Sequence, residues 1–278
     1  MNRIPYQGSK QSIIKKMFVI INNDLQNHNC LFTQNNKITK IYDLFCGGGA
    51  VGYYFHTKGF QVVMNDIQQP LIDLHTKLQE GIDKELLYKW ISREEFAELK
   101  ERQDWYGELI RRCWSFGNGG KGYMFGKDIE ELKKMLYDIV VFQDIQVLNS
   151  FNKQYNINFQ MPNGNTAEQR LKNWKITICA FRKDKYGIKD IRAIFPIIKG
   201  IKIYNNNLDE LLQSDYLKSR LLKKQNKKCI EYFNQLQKII KQDNIALFDL
   251  LKNLQLLESF TLVLPLTSLL RIEKLMKL

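Results

Sequence analysis

The sequence predicts an α/β fold built on a parallel sheet, followed by a basic, mostly helical region. Three observations carry this expectation. Apolar runs at 37–45 (KITKIYDLF) and 60–66 (FQVVMND) have the length and β-branched content of strands. Each is followed by a segment with helical periodicity, at 49–59 and 68–81. A glycine-rich turn, DLFCGGGAVG at 43–52, joins the first strand to the first helix. Parallel strands need a crossover connection, so strand–helix–strand–helix is their repeating unit.

The elements follow in order. Residues 11–21, QSIIKKMFVII, read as an amphipathic helix after a loop containing Pro5 and Gly8, and NNDLQNHN at 22–29 reads as a polar turn region. The helix over 49–59 closes at Gly59, and the one over 68–81 carries Pro70 in its first turn, where its missing N–H costs nothing. Residues 82–115 are helical in pattern. SFGNGGKGYMFGKD at 115–128 breaks that pattern with glycines and aromatics, and helix resumes over 128–153. KGIKIYNNN at 199–207 reads as a strand and turn, and 217–242 as a basic helix. The segment 247–278 is leucine-rich and broken by Pro265. The change of character near residue 116 places a domain boundary there, giving 1–115 and 116–278.

Composition limits the function classes. The chain has 278 residues, 44% hydrophobic and 26% charged, with no apolar run long enough to span a membrane and no apolar core at its start. A cytoplasmic protein is expected. Cys30, Cys46, Cys113, Cys179 and Cys229 show no CxxC spacing, so neither a zinc site nor a disulfide framework is expected. The net charge of +13 favours a polyanion such as nucleic acid. An A/T-rich gene, with its Lys, Asn and Ile codons, accounts for the same excess.

The turn at 43–52 is where chemistry concentrates. Residues without side chains let a ligand approach the backbone. Gly47, Gly49 and Gly52 also fit the GxGxxG spacing of dinucleotide sites, so that alternative stays open. The flanking acids point elsewhere. Asp66, at the end of the second strand, can accept from both ribose hydroxyls, and Asp43, at the mouth of the turn, can meet an ammonium. A ribose and an ammonium without phosphate describe S-adenosyl-L-methionine (SAM). Asp66 is also placed to serve as a helix N-cap. In RIPYQGSKQ, Tyr6 can cover an adenine or a sulfonium, and Lys10 can meet a carboxylate; the same stretch also reads as a plain turn.

PYQGSK, DLFCGGGAVG and NDIQQPLIDLHTKL, in this order, resemble motifs X, I and II of the Dam-like, alpha-group adenine-specific DNA methyltransferases. CWSFGNGGKGYMFGKDIE resembles a further segment of that family. The resemblance implies a Rossmann-like SAM-dependent methyltransferase domain over 1–115 and a helical target-recognition domain over 116–278. It implies a cofactor site made of Tyr6, Lys10, Asp43, Phe45, Gly47, Gly49 and Asp66, and double-stranded DNA as partner. The family holds the target amine with an Asp-Pro-Pro-Tyr loop. The five prolines here, Pro5, Pro70, Pro162, Pro196 and Pro265, are all isolated, so no such loop exists and no catalytic residue is assigned. The expectation is an incomplete sheet and a truncated or split enzyme. It would be weak alone and completed by a second polypeptide, or else be a non-catalytic DNA-binding protein with a vestigial SAM fold.

Overall fold

The computed structural model describes residues 3–6, 8–27, 40–188 and 264–277, with single positions 235, 238, 256 and 260. Two compact units are present: 1–130 with 263–278, and 131–262. The sequence-based boundary at 115/116 falls inside the first unit.

The first unit contains the expected α/β piece. Helix α1 spans Ile14–Asn27, strand β1 Lys40–Asp43, α2 Ala50–His56, β2 Gln61–Met64 and α3 Gln69–Glu80. The strands pair in parallel, with Lys40 opposite Gln61 and Asp43 opposite Met64. Among the described residues the sheet has these two strands only. Helix α1 runs on through 22–27, which the sequence reading takes as a turn region. The physical reason is that Asn, Asp and Gln cost a helix only a few tenths of a kcal/mol each, less than about 0.7.

The helical stretch expected over 82–115 resolves into three helices: α4 Lys84–Leu87, α5 Arg93–Leu99 and α6 Trp105–Trp114. The starts are written in the sequence. Asp83, Ser92 and Asp104 each accept a hydrogen bond from the first turn, and Ser92 forms a full capping box with Glu95. The core lies where α3 meets α6. Leu71, Leu74 and Leu78 of α3 recur at helical spacing and are buried, as are Leu109, Ile110, Cys113 and Trp114 of α6. Each such leucine contributes about 1.5–3 kcal/mol. Helix α10, Leu264–Leu275, packs on both α3 and α6. Pro265 sits in its first turn, so it opens a helix instead of breaking one. The SFGN segment forms a 3₁₀ turn over Phe116–Asn118, and Ser115 bridges antiparallel to Tyr123.

The second unit is helical where it is described: α7 Glu130–Tyr137, which begins at its edge, a π-turn at Asp138–Phe142, α8 Ile145–Tyr155 and α9 Ala167–Tyr186. The π-turn leaves carbonyls unpaired, and the Arg170 guanidinium donates to Val140 O and Val141 O, both at 2.7 Å. Phe151, Phe159, Trp174 and Phe260 cluster, with Trp174 Nε1 donating to Phe260 O. The strand expected at 199–207 and the basic helix at 217–242 lie outside the described residues, apart from positions 235 and 238.

Candidate functional site

The site is the turn between β1 and α2. The register sets Asp43 against Met64, so the two strands end side by side and the chain segments beyond them stay zipped. Asn65 N donates to Asp43 O at 2.9 Å and Cys46 N to Asn65 O at 3.0 Å. Gly49 N then donates to Cys46 O at 2.8 Å, closing the turn. Gly49 is the N-cap of α2 at φ +74°, a conformation that favours glycine, and it has no side chain to cap the helix.

Asp43 performs that capping from across the turn. Its Oδ2 accepts from Gly52 N, the third residue of α2, at 3.1 Å. The carboxylate thus meets an orphan N–H at the positive end of the helix. Burial pushes the Asp43 carboxyl above its ordinary range, against the opposing pull of the Gly52 amide and the Lys10 ammonium. Asp66 is the brace of the turn. Its Oδ2 accepts from Gly47 N at 2.9 Å and its Oδ1 from Gln68 N at 3.1 Å. Gln68 is the N-cap residue of α3, so Asp66 supports that helix start without being its cap. A carboxylate has about four acceptor sites, so two remain on Asp66 for a ligand.

The arm bearing Tyr6 and Lys10 lies on the turn. Ile4 N donates to Gly48 O at 2.9 Å. A methyl group placed at Gly47 would come within 3.1 Å of the Tyr6 ring, and one at Gly48 would overlap the Ile4 carbonyl oxygen. The bareness of these glycines is therefore used by the chain's own arm. Tyr6, Ser9, Lys10, Phe45 and Gly47 line one small cleft of about 50 Å³. That is room for only a few waters, so a larger ligand would lie along the rim, where Phe45 is 81% exposed. A second cleft, of about 790 Å³, opens beside the loop after β2 and is lined by Ile67, Gln68, Arg111, Arg112 and Lys121 among others. Asp66 is bonded to a wall of each cleft, Gly47 of the small one and Gln68 of the large one.

Several residues that matter here were not singled out from the sequence. His75 of α3 donates from Nε2 to Gly47 O at 2.8 Å, and its Nδ1 accepts from the Tyr53 hydroxyl at 2.9 Å. A carbonyl can only accept, which fixes the tautomer. Burial holds the His75 pKa below its ordinary value near 6.5, so the ring is neutral at pH 7. Cys46 is buried, and burial first, then Asp43 and Asp66, push its thiol up to about 12. It remains protonated and is no nucleophile. The signal for His75 was its place four residues after Leu71 on the buried face of α3.

The profile of the D12 class N6 adenine-specific DNA methyltransferases matches residues 6–191 of the 278. The chain belongs to that family. Its members are enzymes that transfer a methyl group to DNA, and the family normally draws that methyl from SAM. The match begins at Tyr6, spans the whole turn and bears out the resemblance of the quoted motifs to Dam-like methyltransferases. Comparison with curated proteins and with solved structures gave no match. No described helix is long and apolar enough to cross a membrane.

Proposed function

We propose that this chain binds SAM at the β1–α2 turn and duplex DNA through its basic remainder. It is the cofactor and recognition part of an enzyme that methylates the exocyclic amine of adenine. The observation that supports the reading most is the gathering of Tyr6, Lys10, Phe45 and Gly47 around one cleft, with Asp43 and Asp66 bonded to the same turn. The residue chemistry suits SAM. The unused lone pairs of Asp66 can take the ribose hydroxyls, Lys10 the carboxylate, and the Tyr6 ring can cover the adenine. Asp43 sits within electrostatic reach of Lys10 and can share the amino end. SAM would supply the methyl group; the chain supplies binding and orientation. The fold in this reading is Rossmann-like, with the two described strands as part of its sheet, and recognition falls to the part of 116–278 outside the first unit, residues 131–262.

Asp66→Ala is expected to weaken SAM binding by about 1.5–3 kcal/mol, the range for losing a charged hydrogen-bond acceptor. Isothermal calorimetry of the two proteins measures this, and equal affinities would remove the turn as the cofactor site.

Duplex binding rests on the net charge of +13 and on the SFGN turn, where Phe116 is 77% exposed. Each phosphate neutralised releases a counterion, with a slope of about −0.9 in log K against log salt per contact. Anisotropy of a labelled duplex is expected to show affinity falling steeply from low to high salt. A flat profile would mean a solvated basic face. The second reading, a non-catalytic DNA-binding protein with a vestigial SAM fold, is favoured by one observation, the absence of any adjacent proline pair. The same observation is the sole support for a second polypeptide that carries the amine-holding loop.

A further inference from the structure

Arg112 of α6 touches three of the four motif-bearing segments that are scattered along the sequence: the PYQGSK arm, the loop after β2 and the SFGN turn. Its guanidinium carbon stands 4.5 Å from the centre of the Tyr6 ring. Its Nη2 donates to Gln68 Oε1 at 3.2 Å, in the loop whose Asp66 braces the turn. Its Nη1 donates to Asn118 O, and Asn118 Nδ2 donates back to Arg112 O at 2.6 Å, within the SFGN turn. The side chain is itself anchored. Glu108 Oε1 accepts from Arg112 Nε at 2.7 Å and from Nη2 at 2.6 Å. Glu108 is 2% exposed, and its other oxygen accepts from Arg111 Nε at 2.7 Å.

We propose that Arg112 is the positioning residue of the cofactor site. It fastens the Tyr6 arm, the Asp66 loop and the SFGN turn around the two clefts, with Glu108 as its anchor. The inference rests on the cofactor reading above for its effect on SAM, but the fastening itself is independent of any ligand. Only arginine suits the place. Its flat fork stacks on an aromatic face while it donates in plane to several acceptors, and a lysine ammonium cannot do both. An ordered arm spares the ligand the cost of ordering it, so a fastened Tyr6 raises affinity.

The experiment uses the full chain and the variants Arg112→Lys, Tyr6→Leu and their combination. Arg112→Lys keeps a positive charge beside Glu108. It is expected to speed hydrogen exchange of the Ile4 amide, which bonds to Gly48 O, about tenfold. Tyr6→Leu, which leaves the Glu108–Arg112 pair whole, is expected to free the same amide. S-adenosylhomocysteine, the demethylated product, is expected to bind about tenfold more weakly to Arg112→Lys than to wild type. In the Tyr6→Leu background the same change is expected to cost less than about twofold, because the coupled partner is gone. Equal losses in both backgrounds would show a merely structural arginine and overturn the proposal. So would an Ile4 amide that exchanges at the wild-type rate in Arg112→Lys. If the wild type binds no S-adenosylhomocysteine, the cofactor reading fails and the Ile4 exchange alone decides on the fastening.

Discussion

Gly48→Ala is expected to destabilise the first unit by about 2–4 kcal/mol, the sum of overpacking and a lost backbone hydrogen bond. A methyl group at this position would overlap the Ile4 carbonyl oxygen and stand 2.8 Å from Tyr6 Cβ. The first obstacle is backbone, which cannot rotate away as the end of a side chain does. The arm must lift, and with it go the Ile4 N–H bond to Gly48 O and the Tyr6 contacts with the turn and with Arg112. SAM affinity should fall together with stability, because the arm carries Tyr6 and Lys10. Gly122→Ala is the control, since an added methyl there meets nothing within 4 Å. Urea unfolding of the three proteins measures the difference. A Gly48→Ala variant as stable as wild type would mean that the arm does not rest on the turn.

The assembly of the turn was legible because a tight strand–turn–helix needs particular residues at fixed places. Asp43, the glycines and Asp66 are separated along the chain yet meet through hydrogen bonds of 2.9–3.1 Å at Gly47, Gly52 and Gln68. What the sequence did not show was direction. Both acids were read as facing a ligand, whereas each also holds a backbone amide of the turn itself. The two roles differ only in where a carboxylate points, and no spacing rule carries that. His75, Glu108 and Arg112 escaped notice for a related reason. Each sits on a helix face whose partner is distant in sequence, so periodicity showed a buried or charged position without showing what it touched.

The fold was read unevenly for equally physical reasons. The order β1, α2, β2, α3 followed from strand and helix periods cut by glycines at 47–49 and 59. The helical pattern expected over 82–115, read as two segments, hid three caps, Asp83, Ser92 and Asp104, that restart the helix. Helix α9 was not assigned, although Thr166 caps it and Gly187 closes it. Its buried stripe, Leu171, Trp174, Ile178, Arg182 and Tyr186, is narrow and includes an arginine, so its apolar signal is faint. The boundary near 115 could not be placed from pattern alone. Helix α10, from 264 onward, returns to the core of α3 and α6, and long-range packing of that kind leaves no local trace.

We propose that this chain holds a methyl donor and DNA but has no Asp-Pro-Pro-Tyr loop to hold the accepting amine. Adenine's exocyclic nitrogen is a poor nucleophile because its lone pair is delocalised into the ring. Transfer depends on acceptors that hold it in line with the sulfonium methyl, and such positioning is worth on the order of 10⁵-fold or more. The family's loop for this purpose places two prolines side by side, and no two of the five prolines here are adjacent. Cys46, the one cysteine in the turn, is held as a neutral thiol and offers no covalent route. The measurement is to incubate the purified chain alone with tritiated SAM and unmethylated duplex DNA, and to count label in adenine. The account predicts retention of SAM by the protein and no label in DNA above background. Robust labelling of adenine by this chain, with no second protein present, would contradict it.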